Sequence, residues 1–133
     1  MQSGGPLPAG GIKLTVRYCT GTKSSHHHLP LLNPVLQPVF GRPLYRGSLN
    51  LHGAGPVSFP APATAQLAGE EWLFAPVILS DSLVGVAARK ADSGDIPFIE
   101  VFAPDQLVPK LHLKPGATLE VRVLPGEFLA LAA

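Results

Sequence analysis

Gly47-Ser48-Leu49-Asn50 sets a hydroxyl and a carboxamide two residues apart, hence on one side of an extended chain. Both are hard oxygen donors that suit Mg²⁺, and Gly47 just ahead lets a nucleotide phosphate or another backbone come close. The competing reading is a turn whose side chains bond locally. Glu100 interrupts the apolar run Phe98-Ile99-Glu100-Val101-Phe102 and shares its face with the two phenylalanines. A carboxylate desolvated between aromatic rings suits a general base or an acceptor for a ligand hydroxyl. If that face meets solvent instead, the phenylalanines are partly exposed and the glutamate is ordinary. His26-His27-His28 offers three imidazoles, common ligands for zinc, nickel or copper. Adjacent positions rarely aim at one ion, and no carboxylate or cysteine lies nearby to complete a shell, so a solvated loop is the alternative. Cys19 is the single cysteine, either a nucleophile served by one of those histidines or a small buried apolar side chain.

Positioning these groups falls to a chain of 133 residues, the size of one domain with a real core and no need of disulfides. Ten Lys and Arg stand against nine Asp and Glu, giving a net charge of +1. No long-range field gathers polyanions, so nucleic acid and membrane surfaces are not expected partners. A lone cysteine fits a reducing compartment. With no signal-peptide pattern and no apolar run of membrane-spanning length, the expectation is a cytoplasmic protein. Fifteen prolines and fourteen glycines punctuate the apolar runs, which disfavours long helices.

Strands are expected over 12–18, 44–51, 72–79, 83–88, 98–102 and 118–124, where β-branched and apolar residues alternate or run between turn signals. Asp81-Ser82 reads as the turn of a hairpin, and Arg89 to Asp95 as an exposed polar loop. Leu29 to Phe40 is apolar but carries Pro30, Pro34 and Pro38, so only short helical turns are expected there, with others near 104–112. Six strands with little helix argue for an all-β fold, a small six-stranded closed barrel. The barrel is expected over residues 12–126, after a flexible Gly and Pro tail (1–11) and before a C-terminal tail (127–133).

Several segments resemble the archaeal-type CTP-dependent riboflavin kinases, whose fold is a six-stranded cradle-loop barrel. Gly41-Arg42-Pro43-Leu44-Tyr45-Arg46-Gly47-Ser48-Leu49-Asn50-Leu51 is similar to the family's glycine, phenylalanine and prolines leading into Gly-Thr-Leu-Asn. Phe74-Ala75-Pro76-Val77-Ile78 with Val84-Gly85-Val86-Ala87 resembles its central hairpin. Phe98 to Pro104 resembles Leu-Glu-Ile-Ile-Ala-Pro, and Leu111-His112-Leu113-Lys114-Pro115-Gly116 resembles Leu-x-Leu-Lys-Asp-Gly-Asp. The resemblance covers about residues 40–124 in order.

The resemblance implies a phosphotransferase that moves the γ-phosphate of CTP to the 5′-hydroxyl of riboflavin. It implies Mg²⁺ held by Ser48 and Asn50, Glu100 as the catalytic residue at the flavin site, and Thr20, Gly21, Thr22, Lys23 and Gly47 around the nucleotide. Riboflavin and CTP would be its small-molecule partners; the oligomeric state is not implied. Three departures stand out. The nucleotide loop, Cys19 to Ser25, has one glycine where the family has several; Leu107-Val108 lacks the family's arginine; and Pro97 replaces an acidic residue. A barrel that keeps the fold but binds another small ligand or a protein partner is the alternative.

Overall fold

The computed structural model describes residues 11–20 and 25–129. The tail expected over residues 1–11 therefore lies outside the described residues except for Gly11. Seven strands form: β1 (Ile12–Cys19), β2 (Leu49–His52), β3 (Ala63–Leu67), β4 (Glu70–Leu79), β5 (Leu83–Lys90), β6 (Phe98–Phe102) and β7 (Thr118–Val123). Two α-helices accompany them, α1 (Ser25–Phe40) and α2 (Leu107–Lys110).

The expected closed six-stranded barrel is present. All pairings are antiparallel and run β4-β5-β6-β2-β1-β7, with β7 returning to β4 through Val77↔Val123, Ile78↔Arg122 and Leu79↔Val121. β3 stands outside the ring and pairs only with the first half of β4, from Leu67↔Glu70 to Ala63↔Phe74. β4 thus changes partners midway, and Pro76 sits at the change. In a strand, a residue's N–H and C=O point to the same neighbour. The Pro76 carbonyl accepts from Leu124 N at 2.9 Å. The missing Pro76 N–H therefore faces the same neighbour just past the end of β7, where only the terminal bond of the β4–β7 ladder is forgone. A proline in a central strand is tolerated for that reason.

Two apolar cores follow from the alternation of side chains. Val16, Leu49, Leu51, Val77, Ile99, Val101 and Val121 fill the barrel. Trp72, Phe74, Val86 and Phe102 point outward and are covered by Leu32, Val35 and Leu36 of α1. Leu129, the third residue of the segment expected as a C-terminal tail, joins this outer cluster.

The length of α1 corrects the expectation of short turns. Pro30, Pro34 and Pro38 all lie inside a helix of 16 residues. Their spacing of four puts them on one exposed stripe, opposite the buried Leu32 and Leu36. The Pro30 and Pro34 carbonyls, deprived of their i+4 donors, face water that can satisfy them. Burial of the opposite face outweighs the local cost of the prolines. Two other boundaries differ. The strand expected over 44–51 is only Leu49–His52, because Leu44 N is drawn to Asn33 Oδ1 at 3.0 Å and Tyr45 N to Ala103 O at 2.9 Å. β3 was not expected at all; it belongs to a hairpin turned by Ala68 and Gly69, whose φ of 51° and 81° the sequence signals only through the glycine.

The hairpin turned at Asp81-Ser82 forms as expected, with Leu79 opposite Leu83. Gly126 seats the C-terminal segment against the entry to β3: a Cβ there would lie 2.1 Å from Ala63 N and 2.6 Å from Ala61 O. These are backbone atoms that cannot rotate away. Gly126→Ala is accordingly expected to destabilise the protein by about 3 kcal/mol, read as a lower urea midpoint with an unchanged slope.

Candidate functional site

β1, β2 and β6 bring Cys19, Asn50 and Glu100 into one row on the outer wall of the barrel, through the pairs Cys19↔Asn50 and Asn50↔Glu100. Leu49, Leu51, Ile99 and Val101 point into the core, so the alternation sends Asn50 and Glu100 outward. Outward does not mean exposed here. Asn50 and Glu100 are each 7% accessible, and His28 at the start of α1 lies against Glu100. Of the two sequence readings of Glu100, the desolvated carboxylate is the one found.

The Ser48 hydroxyl donates to Glu100 Oε2 at 2.6 Å. On the other side, His28 Nδ1 stands 3.4 Å from Glu100 Oε1. The His28 ring meets Trp72 edge-on, with centroids 5.1 Å apart and planes at 79°. Asn50 Oδ1 is buried and, among the described residues, has no hydrogen-bond partner. A buried acceptor without a donor carries a desolvation cost and is the kind of atom that a cation would satisfy.

The Ser48–Glu100 bond joins residues that line two different cavities. One, of about 300 Å³, is walled by Trp72, Phe59 and Phe98, with His28, Arg89 and Glu100 on its rim. The other, of about 210 Å³, is lined by Tyr18, Tyr45, Gly47, Ser48 and Gln106. A third depression, of about 490 Å³ along Leu29, Pro30, Asn33 and Pro34, reaches none of Ser48, Asn50 and Glu100.

Arg89 corrects the expectation of a polar loop from residue 89 onward. It continues β5 with its side chain toward the barrel end, 8% exposed, its guanidinium 4.0 Å over the Phe59 ring. Its Nη2 donates to Val57 O at 2.6 Å and to Asp95 at 3.1 Å. Burial pulls the guanidinium below its ordinary value, and the Asp95 carboxylate opposes that shift.

The other expected residues divide. Gly47 borders the smaller cavity, and Thr20 follows β1 as an exposed residue. Gly21, Thr22 and Lys23 lie outside the described residues. The histidine triplet is in the first turn of α1 rather than in a loop, and only the His28 side chain is described. Among the described residues no three His, Cys, Asp or Glu groups gather for a metal. Cys19 is a half-buried free thiol whose Sγ is 3.7 Å from its near neighbour Arg17 O. Among the described residues no helix is long and apolar enough to cross a membrane. Sequence reading missed His28 as a partner of Glu100, and it missed Trp72 and Arg89 as cavity walls. The alternation of Leu83, Gly85, Ala87 and Arg89 was the available signal for Arg89.

The loop that carries Ser48 is tied down at its start. Asp105 accepts from Arg42 Nη2 and Lys110 Nζ, each at 2.8 Å. Lys110 and then Arg42 hold its carboxyl below the usual 3.8. A depressed pKa contributes stability above the unfolded value and loses it as pH falls through the folded one. Asp105→Asn is therefore expected to lower stability at pH 7 by about 1 kcal/mol or less, as for exposed pairs. Urea titrations of the two proteins should converge below about pH 3.

The chain matches no family model and no curated protein.

Proposed function

We propose that the protein is a riboflavin kinase-like phosphotransferase, taking the γ-phosphate of CTP to the riboflavin 5′-hydroxyl and giving FMN. The observation that carries this reading is the 2.6 Å Ser48–Glu100 bond, which links a residue lining one cavity to a residue lining another. One cavity has the aromatic walls that a planar flavin ring needs. The other has Gly47, where a phosphate can approach bare backbone, and Ser48. A hydroxyl from the first and a phosphate from the second would meet beside Glu100.

In this reading Glu100 accepts the proton of the 5′-hydroxyl as its oxygen bonds to the γ-phosphorus. The bond from that phosphorus to the bridging oxygen breaks, and CDP leaves with the electron pair. Ser48 and Asn50 fit Mg²⁺, since both are hard oxygen donors and Asn50 Oδ1 is a buried acceptor without a partner among the described residues. When bound, the ion would neutralise phosphate charge. Trp72, Phe59 and Phe98 exclude water from the proton transfer and orient the ring.

The non-catalytic reading has one observation in its favour. Val108 packs against the barrel core where the resemblance leads one to expect a cation. Riboflavin fluorescence tests the flavin site of the kinase reading directly. Addition of the protein should quench it saturably, and Phe98→Ala should weaken binding about tenfold, as loss of a stacked aromatic wall does. No saturable quenching at any protein concentration would remove the flavin site.

A further inference from the structure

We infer that Arg89 reads the ring in the aromatic cavity, donating to a carbonyl oxygen on the edge of a neutral planar heterocycle; this rests on the kinase reading, in which that ring is the flavin. Arg89 is 8% exposed, so its guanidinium has largely left water. Its Nη2 is engaged, donating to Val57 O at 2.6 Å and to Asp95 Oδ1 at 3.1 Å. The Phe59 ring covers one face of the group, 4.0 Å away. Nε and Nη1 are buried and, among the described residues, have no acceptor. An arginine does not escape that cost by losing its proton, so an occupant of the cavity that brings an acceptor is favoured.

The surroundings select the kind of acceptor. Arg89 lines the cavity of about 300 Å³ together with Phe59, Trp72 and Phe98. Aromatic walls take a flat apolar body and offer no oxygen to Nε and Nη1. Countercharge, by contrast, is already present. Asp95 stands against the guanidinium, Glu100 lines the same cavity, and Lys90 on its rim is paired with Glu70 at 3.2 Å. A neutral carbonyl therefore supplies what Arg89 lacks, whereas an anion would add charge beside two carboxylates. The flavin ring carries two carbonyl oxygens on its pyrimidine end. Seated on Arg89, that end fixes which way round the ring enters and leaves the dimethylbenzene end to the aromatic walls. The arginine is held in advance, because Asp95 also accepts from the Ser58 hydroxyl at 2.7 Å, so little ordering remains for the ligand to impose.

Replacing one carbonyl oxygen by sulfur, a weak acceptor, keeps the ring and removes the bond. Riboflavin, 2-thioriboflavin and 4-thioriboflavin are titrated calorimetrically into the wild type and into Arg89→Met. The wild type should bind one thio analogue about tenfold more weakly than riboflavin. Arg89→Met should bind riboflavin about tenfold more weakly, the scale of a hydrogen bond to a charged group, and should hold all three ligands within threefold of one another. Equal wild-type affinities for the three, or an undiminished riboflavin affinity in Arg89→Met, would overturn the inference. A second readout needs no variant: the ¹H and ¹⁵N guanidinium signals of Arg89 should move when the wild type is saturated with riboflavin, and unmoved signals would overturn the contact. Arg89-dependent binding without FMN formation would uphold the contact and remove the phosphotransfer. FMN formation with all three flavins bound equally would do the reverse, and no flavin binding would overturn both.

Discussion

Asn50→Ala is expected to lower FMN formation by about 100-fold or more, the scale on which disturbing a metal's ligand environment acts. The same change should leave the fold almost untouched. Asn50 Oδ1 is buried without a partner among the described residues, so truncation removes an unsatisfied acceptor instead of creating one. Stability should stay within about 1 kcal/mol of wild type. Activity should recover in part as Mg²⁺ is raised, because the Ser48 hydroxyl remains. Initial rates across a magnesium series, with urea melts on the same samples, check both halves. A variant with full activity at low Mg²⁺ would take Asn50 out of the site.

Glu100→Gln carries the second large effect. The amide keeps the shape of the carboxylate, and its oxygen can still accept from Ser48, so the β2–β6 pairing and the 7% exposure should persist. What disappears is the group able to take a proton. General-base contributions are typically about 10²–10⁴-fold, so kcat should fall by at least about 100-fold. Substrate KM values should move little if the loss is confined to the transition state. Circular dichroism matching the wild type, together with the rate, identifies the role. A rate within threefold of wild type would mean that Glu100 only binds.

The barrel was legible because most of its strands announce themselves by alternation or by unbroken apolar runs. Ile12 to Tyr18 and Thr118 to Leu124 alternate cleanly, and Trp72 to Leu79 is apolar throughout because both of its faces are buried. β3 was not legible. Ala63-Thr64-Ala65-Gln66-Leu67 has little β preference, and it forms a strand because β4 offers an edge. α1 was misread for a related reason. Each proline taken singly argues against a helix, whereas their spacing of four gathers all three on the exposed stripe. Tertiary burial then decided the element.

The site divided along the same line. Ser48, Asn50 and Glu100 could be singled out from sequence because their types and local spacing carry chemistry, and the β2–β6 register unites them. His28 could not. Its partner is 72 positions away, and the contact depends on a helix that local propensity argues against. Arg89 was missed because a charged residue at the end of an apolar run reads as a loop start. It is buried because the carbonyl of Val57, the Asp95 carboxylate and the Phe59 ring together receive its guanidinium.

The most direct test of the phosphotransferase reading is a product assay on the wild-type protein. Riboflavin, Mg²⁺ and either CTP or ATP are incubated with it, and flavins are separated chromatographically. The account predicts FMN in proportion to enzyme and time with CTP, an equal yield of CDP, and much slower formation with ATP. No FMN with any nucleoside triphosphate, together with no flavin binding, would contradict it and leave a barrel that binds some other ligand or partner.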